Sequence, residues 1–356
     1  MLERVAQVAR CSDGEAIDSA DDTLMPHDEA EVAAGLQQLA ATLVAGGSSV
    51  QGLQRLSGGA SKQTWAFRVS GDAGSVPLVL RRAPAGSGER TKATVGLEVE
   101  AQLIAAALNA GVPVPRIHHV LRPTDGLGTG FVMQHLGGET LGRRIVRDER
   151  FANARRVLAR QCGQALARIH AIAIAELPPL RRGGPAAELQ LQIDQHRSHR
   201  TARPMFELAF QWLRKNRPAE IAHPVLVHGD FRNGNLMVDA HGLAGVLDWE
   251  LAHLGDPMED LGWLCVNSWR FGCSELPVGG FGTRDDLFAG YAAAGGQVDV
   301  ERVRYWEVLG TLKWGIVCET MLNAWLTGQE REVEKAVIGR RASESEIDLL
   351  ALLAPR

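Results

Sequence analysis

Several features that mark specialised protein classes are scarce in this chain. Its five cysteines are scattered, and no two of them have C-x-x-C spacing. This argues against a disulfide scaffold or a zinc site and favours a reducing compartment. The opening residues MLERVAQVAR lack the long apolar run of a signal peptide, and no segment approaches the apolar length that spans a bilayer. We therefore expect a cytoplasmic protein without a membrane partner.

An excess of basic residues is also missing. The net charge is −4 and the isoelectric point is about 6.3. A nucleic-acid-binding protein usually needs a basic face that neutralises phosphates, so the charge argues against nucleic acid as a partner. The content of 45% hydrophobic and 22% charged residues is typical of a globular protein. With 356 residues, the chain is too long for one ordinary core and suits two lobes.

The order of the predicted elements indicates an α+β fold. A helix is expected from Asp28 to about Ala45, and three short strands follow, with a glycine-rich turn between the first two. A second helix, a further strand and a Leu136-Gly137-Gly138 break complete this strand-rich third. Mostly helical sequence follows, interrupted by a small hairpin between residues 225 and 249. The strands are expected at Val50–Leu56, Thr64–Val69, Val76–Arg81 and Thr129–His135, and the main helices at Thr94–Leu108, Phe151–Ile174 and Glu188–Asn216.

The most informative stretch is LVHGDFRNGNLMVDAHGLAGVLDWE, near residues 226–250. Asp230 and Asn235 lie in one tight loop, and the following hairpin brings Asp248 beside them. Phosphoryl transfer needs a carboxylate that accepts the proton of a hydroxyl, together with oxygen ligands for Mg²⁺. Asp230, Asn235 and Asp248 would supply a base, an amide oxygen and a metal-binding carboxylate within one short segment.

The motif HGDFRNGN resembles the catalytic loop of the aminoglycoside phosphotransferase and choline kinase family, which is related to the protein kinases. LDWE resembles the metal-binding segment of that family. The resemblance implies a protein-kinase-like, two-lobed fold, with an N-terminal antiparallel sheet lobe and a mostly helical C-terminal lobe. It also implies ATP or GTP as phosphoryl donor, Mg²⁺ as cofactor and a small-molecule hydroxyl as acceptor. Asp230 would be the base, His228 would support the loop, and Asn235 and Asp248 would bind the metal.

The resemblance implies three further segments in the N-terminal lobe. Gly58, Gly59 and Ser61 would form a clamp on the nucleotide phosphates. A kinase-like fold places a cation on the third strand, and here Arg81 stands where a lysine is usual. Its helix partner would be Glu100, with Glu98 as the alternative. Finally, residues 131–136, including Met133 and His135, would form the hinge beside the adenine. We expect a loosely ordered lead-in over residues 1–27, a nucleotide-binding lobe over 28–136 and a catalytic and substrate lobe over 137–356.

Other activities have less support in the sequence. Arg81 in the lysine position is the only argument for a nucleotide-binding pseudokinase, and the intact Asp230 opposes it. The absence of D-F-G and A-P-E segments argues against a protein kinase, and the absence of a G-x-S-x-G elbow argues against a hydrolase. The oligomeric state is left open between monomer and homodimer.

The acceptor also stays open. Family members phosphorylate aminoglycosides, macrolides, choline and related amino alcohols. SGGASKQTW and LVLRRAP resemble a bacterial branch that is similar to the kinase-like domains of some acyl-CoA dehydrogenases, which implies hydroxy-acid or hydroxyacyl acceptors. Late glutamates are candidates for holding a cationic acceptor, although a solvated helix face explains them equally well: Glu330, Glu332, Glu334, Glu344 and Glu346. The late tryptophans favour core packing over a cage for a quaternary ammonium group.

Overall fold

Five antiparallel strands form the sheet of the N-terminal lobe. The structure is a computed structural model that describes residues 26–58, 62–72, 74–84, 94–199 and 201–354. The sheet order is β1-β2-β3-β5-β4, and two helices accompany it. Its last strand along the chain ends at Gln134, just before the Leu136-Gly137-Gly138 break. The bounds are α1 Pro26–Leu43, β1 Ser49–Gly58, β2 Gln63–Gly71, β3 Gly74–Ala83, α2 Leu97–Asn109, β4 Ile117–Val120 and β5 Thr129–Gln134.

Helix α1 covers one face of this sheet. Its apolar residues recur every three or four positions, and Val32 and Leu36 are fully buried. They belong to one apolar cluster with Trp65 and Phe67 of β2 and with residues of β3 and β5. Asp28 and Glu29 lie in the first turn, where negative charge stabilises the helix dipole. Of the lead-in expected over residues 1–27, all but the last two residues lie outside the described part of the chain.

Strand β3 ends in two arginines whose side chains separate to opposite faces, because side chains alternate along a strand. Arg82 is buried on the α1 side, where its Nε donates to Gln63 Oε1 at 2.9 Å and its Nη1 lies 3.3 Å from Glu31 Oε1. Arg81 therefore faces the other way, toward α2 and the cleft between the lobes. The alternation of one strand thus decides which of the two cations reaches the site.

The C-terminal lobe is mostly helical, with two short two-stranded sheets inside it. One sheet pairs β6 with β9, and the other is the hairpin β7–β8. The helices enclose the largest apolar cluster of the molecule, which continues into α2 of the other lobe. The bounds are α3 Gly142–Arg147, α4 Ala152–His170, α5 Pro185–Ser198, α6 Pro204–Lys215, β6 Val225–Val227, β7 Leu236–Asp239, β8 Gly242–Val246, β9 His253–Gly255, α7 Met258–Leu264, α8 Arg284–Ala293, α9 Val300–Leu326, α10 Val333–Gly339 and α11 Ala342–Leu353.

The single helix expected over Glu188–Asn216 was wrong. The chain forms α5 and α6 instead, and Pro204 occupies the first turn of α6. Proline disfavours the helical conformation of the residue before it, and Arg203 is accordingly extended, with φ −130° and ψ 95°. The strand β9 was not expected at all. Within the described residues, no helix is both long enough and apolar enough to cross a membrane.

Candidate active site

The loop from His228 to Asn235 joins β6 to β7 at the floor of the cleft. Gly229 has φ +78°, a conformation that side chains rarely adopt. A Cβ atom at this position would lie 2.5 Å from the Leu251 carbonyl oxygen, so only glycine fits. The strand β9 that follows Leu251 pairs with β6. The turn before Asp230 is therefore fixed by close backbone packing against the next segment of the lobe.

A buried carboxylate holds the start of this loop. Asp260 of α7 accepts the backbone N–H groups of His228 at 2.8 Å and Gly229 at 2.9 Å. His170 of α4 contacts the same carboxylate at 3.1 Å through Nε2, and its Nδ1 contacts the Tyr291 hydroxyl at 2.8 Å. Burial alone would raise the pKa of Asp260, but these hydrogen bonds and the nearby histidines hold it below its usual value. Asp260 is thus a structural anion that supports the loop.

His228 ties the loop to the segment after the hairpin. The ring is completely buried, and its Nδ1 accepts the Asp230 backbone N–H at 3.2 Å while Nε2 donates to the Leu247 carbonyl at 3.2 Å. Burial lowers its pKa, although neighbouring carboxylates oppose the shift. A neutral ring with a proton on Nε2 satisfies both hydrogen bonds. His228 thus connects the loop of residues 228–235 with the segment that carries Asp248.

The carboxylate of Asp230 is held from three sides. Its Oδ1 accepts Trp263 Nε1 at 2.9 Å and Arg232 Nε at 3.0 Å. Its Oδ2 accepts Asn235 Nδ2 at 2.6 Å, and the same amide also donates to the Asp230 carbonyl at 3.0 Å. Because Asn235 uses its NH₂ group here, its amide oxygen is left to accept or to ligate. The loop therefore brings together Asp230 and Asn235, the two residues that the sequence analysis placed in one tight loop.

Asp248 follows hairpin β7–β8 and reaches the same cleft. It adopts a left-handed backbone conformation, with φ +64°. Aspartate tolerates this conformation better than most residues. The turn directs its carboxylate into the cleft, away from the buried strand β8. The preceding Leu247 N–H donates to the Asn235 carbonyl at 2.9 Å, which fixes the end of the hairpin to the loop of residues 228–235. Asp248 itself is about one-third exposed in the cleft.

Arg81 contacts acids of both lobes. Its Nη2 donates to Asp248 Oδ1 at 2.6 Å, and its Nε lies 3.3 Å from Glu100 Oε1 of α2. Burial raises the pKa of Glu100 to about 7, although the positive charge of Arg81 opposes the shift. Arg81 Nε and Glu100 Oε2 are buried without hydrogen-bond partners. The structure thus places Glu100 beside Arg81, whereas Glu98 is exposed.

A cavity of about 340 Å³ lies between the lobes, directly above Asp248. Arg81 and Glu100 form its charged end, and Met133 and His135 line it near the connection between the lobes. The lining continues with apolar residues of both lobes, among them Val79, Ile104, Phe131, Leu136, Met237 and Val246. Of the predicted phosphate clamp, Gly58 is the last residue of β1, while Gly59 and Ser61 lie outside the described residues.

Two contacts to this site were missed by the sequence reasoning. Lys62, next to the predicted clamp, forms an ion pair with Glu250 of the other lobe. Trp263 donates to Asp230 from α7, 33 positions further along the chain. The cationic character of the SGGASK segment was a signal for the first contact. The tryptophan carried no signal, because its role depends on how α7 packs against the loop.

The oxygen atoms of Asp248 and Asn235 can be compared with the ligands that a metal ion prefers. Mg²⁺ prefers carboxylate and amide oxygens and usually keeps several water or phosphate ligands. Asp248 and the free amide oxygen of Asn235 fit this preference, and Arg81 already shows that the Asp248 carboxylate attracts a cation in this position. Across the described ranges, no cluster of three or more His, Cys, Asp or Glu side chains is suited to a metal ion. The residues therefore fit a metal that is shared with a phosphorylated ligand.

Three of the late glutamates and three of the late tryptophans have charged partners within the protein. Glu344, Glu346 and Glu330 form ion pairs with Arg341, Arg203 and Lys335, respectively. The three clustered indoles are covered by the protein's own cations: Arg232 over Trp269, Lys313 over Trp263 and Arg341 over Trp314. These faces are therefore not open to a quaternary ammonium group.

Comparison with known sequences adds independent findings. The model of the phosphotransferase enzyme family, APH, matches residues 52–305. Acyl-CoA dehydrogenase family member 10 from Mus musculus is 32% identical over 201 residues, which cover 53% of this chain and 18% of that protein. The Arabidopsis thaliana protein named as a probable acyl-CoA dehydrogenase, IBR3, is 27% identical over 310 residues, which cover 78% of this chain and 37% of that protein. The chain spans well under half the length of these curated relatives.

Solved structures share the fold. A Ralstonia eutropha protein provisionally named as an aminoglycoside phosphotransferase superposes with a TM-score of 0.70 at 18% identity, covering 90% of this chain and 97% of that one. A variant of APH(4)-Ia in complex with ADP and hygromycin B gives 0.53 at 15% identity, with 92% and 100% coverage. An APH(2″) enzyme in complex with GDP and kanamycin gives 0.56 at 16% identity, with 88% and 98% coverage. The predicted α+β, kinase-like fold with a sheet lobe and a helical lobe is confirmed.

Proposed function

Because this chain belongs to the phosphotransferase enzyme family, we propose that it is a Mg²⁺-dependent kinase that transfers the γ-phosphoryl group of ATP or GTP to a hydroxyl of a small molecule. The observation that carries the proposal is the convergence of Asp230, Asn235 and Asp248 on one cleft, with Arg81 and Glu100 opposite. A scaffold protein that had lost catalysis would have no chemical need for this set. The nucleotides bound by the APH(4)-Ia and APH(2″) structures support a nucleotide in the cavity between the lobes.

In the proposed reaction, Asp230 accepts the proton of the acceptor hydroxyl as the new oxygen–phosphorus bond forms. The bond between the γ-phosphorus and the bridging oxygen breaks, and the nucleoside diphosphate leaves with that electron pair. Positioning and electrostatic stabilisation supply most of the catalysis in such reactions. Trp263 and Asn235 hold the Asp230 carboxylate in one orientation, so one of its faces remains directed at the acceptor.

Cationic groups surround the place of transfer. Arg232 lies against Asp230, and Arg81 stands at the charged end of the cavity, where it would contact the nucleotide phosphates. Asp248 and Asn235 would hold Mg²⁺, which, when bound, neutralises negative charge on the phosphates. Arg81 would then exchange its contact with Asp248 for one with phosphate. The scattered cysteines support a cytoplasmic setting for this reaction.

The test is thermal unfolding of the purified protein with ATP or GTP, with and without Mg²⁺. A ligand that binds only the folded state raises the melting temperature by mass action. We expect a nucleotide-dependent rise, part of which requires Mg²⁺. The Asp248→Ala variant should lose the Mg²⁺-dependent part.

Asp239→Ala is the matched control, because Asp239 lies at the turn of the same hairpin and only accepts backbone N–H groups there. It should retain the full shift. The absence of any shift with either nucleotide in the wild-type protein would contradict the proposal. Equal losses in the two variants would contradict the assignment of Asp248.

A further inference from the structure

Lys313 is an unusual cation in the middle of helix α9. It lies between the buried Leu312 and the partly buried Trp314, and it is itself only partly exposed. In the described residues, no carboxylate oxygen comes within ion-pair distance of its ammonium group, whose one hydrogen bond reaches the Gly229 carbonyl at 3.5 Å. A partly buried ammonium group without a direct ion pair costs free energy. We therefore expect another interaction to offset this cost.

Both contacts of Lys313 lead directly to the base. Gly229 is the residue before Asp230. Trp263, whose ring lies 4.8 Å below the Lys313 ammonium, donates its N–H to Asp230 Oδ1. Lys313 thus stands on the C-terminal lobe beside Asp230, whereas Arg81 and Glu100 mark the nucleotide cavity. A hydroxyl that meets Asp230 would place its neighbouring substituents within reach of this ammonium group.

The acids nearest to Lys313 form their ion pairs with other residues, although the charges of His253, Arg181 and Lys313 together lower the pKa of Glu188 against the effect of burial. Glu188 and Glu259 line a narrow cleft with Lys313 and Trp263. Glu188 forms an ion pair with Arg181, and Glu259 contacts His253 Nε2 at 3.2 Å. The cleft has room for about 10 Å³, close to the volume of one water-sized group. Its size therefore fits a terminal oxygen of an acceptor and excludes a bulky ring.

We propose that Lys313 binds an anionic group of the acceptor, a carboxylate or a phosphate, and that the enzyme therefore prefers anionic hydroxy compounds. This inference rests on the proposed kinase function. An aminoglycoside or an amino alcohol carries positive charge, which Lys313 and the neighbouring Arg232 would repel. A charged hydrogen bond in a partly desolvated site is strong enough to set such a preference.

The test uses three six-carbon polyols that differ only at one end: gluconate, glucitol and glucamine carry a carboxylate, a hydroxymethyl and an aminomethyl group. We expect phosphorylation of gluconate with a kcat/KM about tenfold above that of glucitol, with glucamine below both. Lys313→Met should lower the value for gluconate about tenfold and so erase its advantage. Lys313→Arg should restore most of it. Equal losses for all three polyols in Lys313→Met would instead show that Lys313 only supports the loop, which overturns the proposal.

Binding is measured separately through tryptophan fluorescence, because the ammonium group lies over Trp263. Gluconate should change the signal of the wild-type protein and of a Lys335→Met control, which removes a partly exposed lysine of α10, but not that of Lys313→Met. If gluconate neither binds nor reacts better than glucamine, the inference is wrong. Gluconate binding that depends on Lys313, without any nucleotide-dependent thermal shift, would keep the anion site and reject the kinase function. A nucleotide-dependent thermal shift without gluconate binding that depends on Lys313 would reject only the anion site.

Discussion

The charged groups on the two sides of the cleft differ in how completely they are hydrogen-bonded, although Asn233 Oδ1 of the Asp230 loop is also buried without a hydrogen-bond partner. On the C-terminal side, both oxygens of Asp230 accept hydrogen bonds, and the loop that carries it rests on the buried Asp260. On the N-terminal side, Arg81 Nε and Glu100 Oε2 are buried without hydrogen-bond partners, although Arg81 Nε lies within ion-pair distance of Glu100 Oε1. Buried polar atoms are normally paired, so this contrast is informative.

The difference teaches which half of the site is ready before ligands arrive. The protein alone holds Asp230, the proposed base, in one orientation, as expected of a group that must not reorganise during reaction. The cation–acid pair on the opposite side has spare hydrogen-bonding capacity, which phosphate oxygens would use. The proposed catalytic and nucleotide-binding groups are thus prepared to different degrees in the two lobes.

The largest expected effect comes from removing the base while its surroundings stay in place. Asp230→Asn should lower kcat by about 100- to 10,000-fold, because an amide cannot accept the hydroxyl proton. The nucleotide-dependent thermal shift should persist, since Arg81 and Asp248 are untouched. Turnover with the best acceptor is measured by monitoring the release of the nucleoside diphosphate. A loss smaller than tenfold would mean that Asp230 is not the base.

Removing the carboxylate that supports the Asp230 loop should lower the free energy of unfolding. Asp260→Ala leaves the N–H groups of His228 and Gly229 without an acceptor, at a cost of about 3–5 kcal/mol in the free energy of unfolding. Urea unfolding at neutral pH measures this cost, with Asp239→Ala as the surface control. Because the pKa of Asp260 is lowered in the folded state, its contribution is present above the unfolded pKa and is lost as the pH falls through the folded one. The gap between wild type and variant should therefore narrow below about pH 4.

On the N-terminal side of the cleft, the expected change in the free energy of unfolding is smaller, and its pH dependence is the reverse of that for Asp260. Burial raises the pKa of Glu100 to about 7. The folded protein therefore holds a proton that the unfolded chain has already lost, and stability from this group falls as the pH rises from about 4.5 to 7. Glu100→Gln should remove about 2 kcal/mol of this pH dependence. Melting curves of the nucleotide-free protein at pH 5 and 8 measure it, and an identical slope in both proteins would contradict the raised pKa.

The site was predictable from sequence where its residues lie close together along the chain. Asp230, Asn235 and Asp248 span 19 positions, and a tight loop followed by a hairpin has few ways to arrange them. Arg81 was located by strand order and its distance from the end of β3. The side chain of Arg82, next to it, was separated from the cleft only by the alternation of the strand. Short-range geometry is what the sequence pattern encodes well.

The contacts that sequence reasoning missed all join distant segments. Trp263 reaches Asp230, Lys313 reaches Gly229 and Lys62 reaches Glu250 through the packing of separate elements. Periodicity identifies the helix on which such a residue lies, but not the residue that the helix faces across the lobe. The break between α5 and α6 is a different case, because Pro204 was visible and its effect on Arg203 could have been used.

The contact between Arg81 and Asp248 also has a consequence for how the protein is made. Chains emerge from the ribosome at about 5–20 residues per second, so Asp248 follows Glu100 by roughly 7–30 s. The sheet that carries Arg81 can form in that interval, since its strands end at Gln134. During synthesis, Glu100 is then the acid available to Arg81. The pair on α2 and β3 thus serves the nascent lobe as an internal neutralising contact before the second lobe exists.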